Sequence, residues 1–318
     1  MNAMRLAILA ALISSVITLA LITDTQAAPL ADVTVSTGDD ELSQPMKQTR
    51  IVEKVKIPMR DGVRLVADTI FPEPEDKYPT ILIRTPYGRR VETDWIKRGL
   101  FFANRGYVVV VQAVRGREDS EGEWQPWMNE RKDGYDTIDW ISRQSWSDGN
   151  VGMIGGSYLG EVQLQAAAES HPALKCIIPY VSGSDHFFGV PYDHGIFNLE
   201  MIDWLYLTSD KDRTVNARPL PNQELLQTLP LSRLDDAYLG NNSPIFEDWL
   251  KKDRPSNFAA ANFLDDLARS KKQIPILHLT GWWDGAAGGV MRNWRVLNQN
   301  GYGQQWLVIG FWEHNYAQ

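Results

Sequence analysis

The chain has 318 residues, 43% hydrophobic and 10% aromatic, enough for one large core or two domains. Its formal net charge of -8 argues against a nucleic-acid partner, which selects a basic face. The one cysteine, Cys176, excludes an intrachain disulfide, and its apolar surroundings read as those of a small core residue.

The N-terminus reads as a targeting segment. Arg5 gives a positive start, residues 6–22 are apolar and uncharged, and Thr25, Gln26 and Ala27 provide a small-residue cleavage site. The layout is that of a signal peptide over 1–27, cleaved after Ala27. It predicts a periplasmic or secreted chain with no stable membrane anchoring, and the absence of a cysteine after the apolar run argues against a lipoprotein. Residues 28–48 are polar and read as a disordered lead-in.

Residues 51–57 alternate apolar and polar, a turn follows at 60–63, and 63–71 forms the second strand of a hairpin. A short buried strand at 80–84 runs into a loop punctuated by Pro86 and Gly88. Asp94 is placed to cap a helix reaching Asn104, with Gly106 just past its end. The valine run at 107–112 predicts a strand covered on both faces. After a polar loop at 115–124 come a helix over 133–144, a strand into 151–156, a helix from 161 and a strand over 174–181. A strand over 274–280, a helix over 290–299 and a strand over 305–310 complete the pattern. This alternation predicts an α/β fold with a mostly parallel sheet and helices on both faces, the hairpin adding antiparallel strands at one edge. Residues 184–272 break the rhythm, with helical patches at 199–207 and 244–252 and no clear strand. They read as a helical insertion over the C-terminal edge of the sheet, where ligands bind in open α/β folds.

The stretch VGMIGGSYLG at 151–160 passes from a strand through two glycines to Ser157 and then into a helix. That is the setting of a nucleophile elbow, although the second small residue, Gly160, stands one place later than in the strict G-x-S-x-G motif. The competing reading is a glycine-rich turn in which Ser157 caps the helix. A serine nucleophile needs a base, and the base needs an orienting carboxylate, in the chain order Ser, Asp or Glu, His. Of the five histidines, His171 reads as a surface turn residue, His186 and His194 lie in the insertion, and His278 is packed within a strand. His314 falls just past the last strand, where a catalytic base belongs or where a terminal surface histidine sits. Asp284 follows the strand over 274–280 and is either the orienting acid or a helix N-cap. For the developing oxyanion, the Tyr158 backbone N–H is the first candidate donor. Tyr87, in the loop after an earlier strand, has a phenol that can donate or simply pack.

The segments MRDG (59–62), RTPYG (84–88), RGR (115–117), SEGEW (120–124), GYDTIDW (134–140), VGMIGGSYLG (151–160), GWWD (281–284) and GFWEH (310–314) occur in one order. With them the chain, from about Val52 to His314, resembles the serine hydrolases that include X-prolyl dipeptidyl peptidases, cocaine esterase and glutaryl-cephalosporin acylases. The resemblance implies an α/β-hydrolase domain over 49–318, with the 184–272 insertion as its helical cap. It implies Ser157 as nucleophile, Asp284 as acid, His314 as base, and the Tyr87 hydroxyl and Tyr158 N–H as oxyanion hole. Ala113 stands where the family has Asp, and Phe311 where it has proline. The family continues into a C-terminal jelly-roll β-sandwich, which is expected to be absent from a chain ending at Gln318.

The function expected from these features is a secreted serine hydrolase acting on a small ester, amide or short peptide through an acyl-enzyme on Ser157. X-prolyl dipeptidyl and acyl-amino substrates are among those expected, and the chemistry needs no metal or organic cofactor. Glu161, Asp185, Asp193, Glu200 and Asp203 are available carboxylates for a substrate amine. The rival classes are a truncated, catalytically impaired remnant of the family, and a sugar-binding surface built on the twelve tryptophans.

Overall fold

The structure is a computed structural model that describes residues 47–90, 95–208, 227–252 and 254–317. The expected signal peptide with its cleavage point, residues 28–46 of the lead-in and the Asp94 cap lie outside these residues. Among the described residues no helix is long and apolar enough to cross a membrane.

Eight strands form one sheet: β1 (Thr49–Pro58), β2 (Arg64–Pro72), β3 (Tyr78–Thr85), β4 (Val108–Ala113), β5 (Ser147–Gly156), β6 (Leu174–Tyr180), β9 (Ile276–Gly281) and β10 (Gln305–Gly310). Their spatial order is β1-β2-β4-β3-β5-β6-β9-β10. β1 pairs antiparallel with β2 and β2 antiparallel with β4, and every other pairing is parallel. The expected hairpin therefore occupies one edge. β1 is largely solvent-exposed, whereas β4 is buried along its whole length.

The valine run explains how the sheet carries a core on each face. Successive side chains of a strand point to opposite sides. Val109 and Val111 pack with Ile81, Ile83 and Ile154 on one side, while Val108 and Val110 pack with Leu82, Met153 and Ile177 on the other. Helix α1 (Trp95–Ala103) contributes Trp95 and Ala103 to the first cluster, and α2 (Glu130–Ser142) contributes Ile138 and Ile141 to the second. Helix α3 (Tyr158–Ala168) follows β5 and is buried from Tyr158 through Ala167, as a helix that is apolar on most sides must be.

The insertion holds α4 (Met201–Thr208), α5 (Leu234–Leu239), α6 (Pro244–Lys251) and α7 (Leu264–Ala268). Ser243 caps α6 by accepting from the Phe246 N–H at 3.3 Å, with Pro244 at the first helical position. One expectation fails here, because the insertion is not free of strands. β7 (Tyr192–Asp193) and β8 (Ile196–Phe197) form an antiparallel hairpin turned by His194 and Gly195, both at positive φ. A two-residue strand is too short to show a period of two. Beyond the insertion, β9 leads into α8 (Ala287–Gln299) and then β10 at the other sheet edge.

Candidate active site

Ser157 sits where β5 ends and α3 begins, with φ 57° and ψ -126°, a region a β-carbon makes costly. Main-chain bonds lock the turn: Ser157 N–H donates to the Tyr180 carbonyl at 2.9 Å, and its own carbonyl accepts from Gly160 N–H at 2.9 Å. The neighbouring glycines leave room for this. A β-carbon at Gly156 would lie 2.2 Å from the Tyr180 ring, and one at Gly160 would lie 2.6 Å from Ser182 Cβ. The helix-capping alternative for Ser157 does not hold, because its side chain makes no cap hydrogen bond.

Asp284 and His314 follow β9 and β10, and the main chain ties their loops together. Trp282 N–H donates to the Gly310 carbonyl at 3.0 Å and Trp283 N–H to the Trp312 carbonyl at 3.3 Å. His314 Nδ1 lies 2.7 Å from Asp284 Oδ1. A carboxylate can only accept, so Nδ1 carries the hydrogen and Nε2 is left to act as a base. Asp284 Oδ1 also accepts from Ala286 N–H at 3.0 Å, and Oδ2 accepts from the Thr280 hydroxyl at 2.8 Å. Burial alone would raise the Asp284 pKa, but the bonds from His314, Ala286 and Thr280 together outweigh it and hold the carboxyl below its ordinary range. Asp284 is not the N-cap of α8, since Ala286 holds that position. The structure joins Asp284 to His314, and among the described residues Ser157 Oγ makes no hydrogen bond. Such contacts often tighten only with substrate bound.

Tyr87 lies just past β3, the strand next to β5. Its phenol oxygen accepts from Trp204 Nε1 on α4 at 2.9 Å. The Tyr158 N–H is at the first position of α3, where no intrahelical acceptor exists. The Tyr158 ring is buried; its hydroxyl donates to Glu130 Oε1 at 2.7 Å and accepts from Trp127 N–H at 3.0 Å. Glu130 in turn pairs with Arg84 at 2.7 Å, with both side chains buried. Burial pushes the Glu130 carboxyl up despite Arg84, and burial with Glu130 alongside pushes the Tyr158 phenol well up.

The other histidines are placed elsewhere. His171 corrects the expectation of a surface turn: it is 3% exposed, packed edge-on against Tyr135, and its Nδ1 accepts from Ala173 N–H at 3.1 Å. The helix α2 that covers it is distant in sequence, which is why the local Ser-His-Pro context reads as exposed. His186 and His278 are fully buried and burial pushes each down to about 4, so both are neutral at pH 7. His194 is exposed and bonds Asp193 at 2.5 Å. Cys176 is buried in the core as expected. Among the carboxylates considered for an amine, Asp185 accepts from the Phe263 and Leu264 N–H groups at 3.0 and 3.1 Å, and Asp203 accepts from the Tyr238 hydroxyl. Glu161, four residues after Ser157, is fully buried and burial drives its carboxyl well above the ordinary value. The sequence reading missed Glu130 and Trp204, and it had Arg117 only as part of the RGR motif. An arginine closing an apolar strand, as Arg84 does, was the available signal for a buried acid partner.

A family model described as X-Pro dipeptidyl-peptidase (S15 family) matches residues 61–316. The chain is 32% identical over 292 residues to the cocaine esterase of Rhodococcus sp. (strain MB1 Bresler), which covers 83% of this chain and 49% of that protein. Among solved structures it is similar to an α-amino acid ester hydrolase, with TM-score 0.67, 25% identity, and coverage of 91% of this chain and 52% of the other. An aminopeptidase from a marine sediment Thaumarchaeota archaeon shares the fold, with TM-score 0.67 at 24% identity, over 90% of this chain and 52% of that one. The chain thus spans about half the length of these relatives. Its mostly parallel sheet, its Ser157 turn after β5 and these likenesses identify the fold as that of the α/β-hydrolases. With residues 61–316 matched to the family model and 83% of this chain aligned to the Rhodococcus cocaine esterase, the chain belongs to the X-Pro dipeptidyl-peptidase (S15) family.

Proposed function

We propose that the protein is a serine hydrolase that cleaves a small ester, amide or short peptide through an acyl-enzyme on Ser157. The observation that carries this is the +57° backbone of Ser157, which holds an uncapped hydroxyl at the sheet edge from which the Asp284–His314 pair also projects. Ser157 Oγ attacks the substrate carbonyl as His314 Nε2 takes its proton. The oxyanion of the tetrahedral intermediate faces the Tyr158 N–H and the Tyr87 hydroxyl. On collapse the alcohol or amine leaves with the proton from His314, and the acyl group stays on Ser157. Water, deprotonated by His314, then attacks the ester and releases the acid. No step requires a metal or organic cofactor.

The family name and the relatives point to X-prolyl peptides, esters and α-amino acid esters as substrate classes to be tried. The proposal includes export by the apolar 6–22 segment with cleavage after Ala27, and no nucleic-acid partner. The second reading is a truncated, catalytically impaired family member. A fluorophosphonate probe separates the two. Labelling of the wild type but not of Ser157→Ala supports the hydrolase, and a folded wild type that stays unlabelled overturns it. A panel of p-nitrophenyl esters, amino-acid esters and X-Pro p-nitroanilides then ranks the substrates.

A further inference from the structure

The insertion does more than roof the site. Helix α4 reaches down to the Tyr87 loop at two points one turn apart. Trp204 Nε1 donates to the Tyr87 phenol oxygen at 2.9 Å, across 117 residues of sequence. Arg117, 2% exposed, makes the second clasp: its Nε donates to the Pro86 carbonyl at 2.8 Å and its Nη1 to the Thr208 carbonyl at 2.7 Å. Pro86 precedes Tyr87, and Thr208 is the last residue of α4. The same Trp204 ring stacks on Tyr158 with centroids 6.0 Å apart and planes 16° apart, and on Trp127 at 5.2 Å and 13°. One indole therefore touches both residues assigned to the oxyanion hole.

We infer that Trp204 is a positioning residue that sets the Tyr87 hydroxyl for the oxyanion, so that the cap helix controls the rate of acyl transfer. This rests on the assignment of Tyr87 made above. Two physical effects support it. The bond sets the indole N–H on the phenol oxygen before substrate binds, and donors placed in advance of reaction are what lower the barrier. A phenol that accepts a hydrogen bond also becomes a stronger donor through its own hydrogen, because bonds in a chain polarise one another. The Arg117 clasp holds the loop and α4 at fixed spacing, so the indole meets the phenol in one geometry.

The test is a double-mutant cycle on the full chain, read by p-nitrophenyl butyrate hydrolysis and by the rate of fluorophosphonate labelling. Trp204→Phe is expected to lower kcat and the labelling rate about tenfold with little change in KM, and to have no further effect in a Tyr87→Phe background. Benzothienylalanine at 204 retains the bicyclic ring and lacks only the N–H, so it covers the case where the smaller phenylalanine disturbs folding; it should give the same loss. The inference is overturned if Trp204→Phe costs the same factor with and without Tyr87, if only KM moves, or if the benzothienyl variant is as fast as wild type. Tyr87→Phe alone should cost about a hundredfold or more in both assays. If it does and the Trp204 variants are unimpaired, the present inference alone falls. If Tyr87→Phe matches wild type while Ser157 still labels, the assignment of Tyr87 falls as well.

Discussion

Replacing Asp284 by asparagine asks how much of its role is charge and how much is orientation. The surroundings of the carboxylate decide which way the new amide faces. Oδ1 accepts from two donors, Ala286 N–H at 3.0 Å and His314 Nδ1 at 2.7 Å, and a peptide N–H cannot reverse its role. Among the described residues Oδ2 meets only the Thr280 hydroxyl at 2.8 Å, which can rotate to accept. The amide nitrogen therefore takes the Oδ2 place, all three contacts survive, and His314 keeps the tautomer with Nε2 free to act as base. In the proposed mechanism, what is lost is the negative charge beside the imidazolium that forms in the transition state. At an effective dielectric near 20 two charges about 4 Å apart interact by about 4 kcal/mol. Allowing for the neutral bond that remains, the loss is about 3 kcal/mol, or roughly a hundredfold in kcat. Asp284→Ala removes orientation as well, and His314, whose side chain is 38% exposed, loses its anchor, so its loss should approach about ten-thousand-fold. Ester hydrolysis and probe labelling measure both variants, with thermal unfolding confirming that the asparagine form costs about 1 kcal/mol or less. Because the Asp284 carboxyl is held below its ordinary range, the stability it contributes is present above that range and is lost as pH falls through the depressed value. That acid limb should vanish in Asp284→Asn. Equal losses in the two variants would refute the orientation argument, and an Asp284→Ala enzyme within tenfold of wild type would remove Asp284 from the site.

Three further outcomes are expected. Glu161 has its pKa raised well above 4.5 in the folded chain, so its contribution is fully present below that value and is lost as pH rises. Glu161→Gln should match wild-type stability at acid pH and exceed it from neutral to alkaline pH in melts across the range; parallel curves would contradict this. Ser157→Gly should be more stable than Ser157→Ala by about 1 kcal/mol in urea titrations, because glycine relieves the positive φ that alanine retains, and the reverse order would show that the turn is unstrained. Glu130→Ala leaves the Arg84 guanidinium buried without its acid and should cost about 3–5 kcal/mol, with Glu130→Gln costing less; equal urea midpoints would mean the pair is not coupled.

The strands were legible because each carried its own signal. The alternation at 51–57 marks a half-exposed edge, and the valine run at 108–111 marks a strand buried on both sides, as β4 is. The positions of Ser157, Asp284 and His314 after β5, β9 and β10 followed from the same pattern. Hidden from the sequence were features made by contacts between distant segments. His171 is buried by Tyr135 of α2, Tyr87 meets Trp204 across 117 residues, and β7–β8 is too short to have a period. Whether Ser157 caps a helix or presents a free hydroxyl turns on one backbone torsion, which composition does not encode.

The lacing of the Asp284 and His314 loops has a mechanical consequence. Both residues follow the β9–β10 pair, and among the described residues β10 is an edge strand whose one neighbour in the sheet is β9. The Trp282–Gly310 and Trp283–Trp312 bonds extend that pairing past the strand ends toward Asp284 and His314. Asp284 and His314, the proposed acid and base, are thus laced to each other, while the proposed nucleophile Ser157 follows the interior strand β5. Breathing of this edge would withdraw the proton relay from Ser157 as a unit, keeping the Asp284–His314 bond whole. Hydrogen exchange along β10 should then track the rate of acylation more closely than exchange along β5.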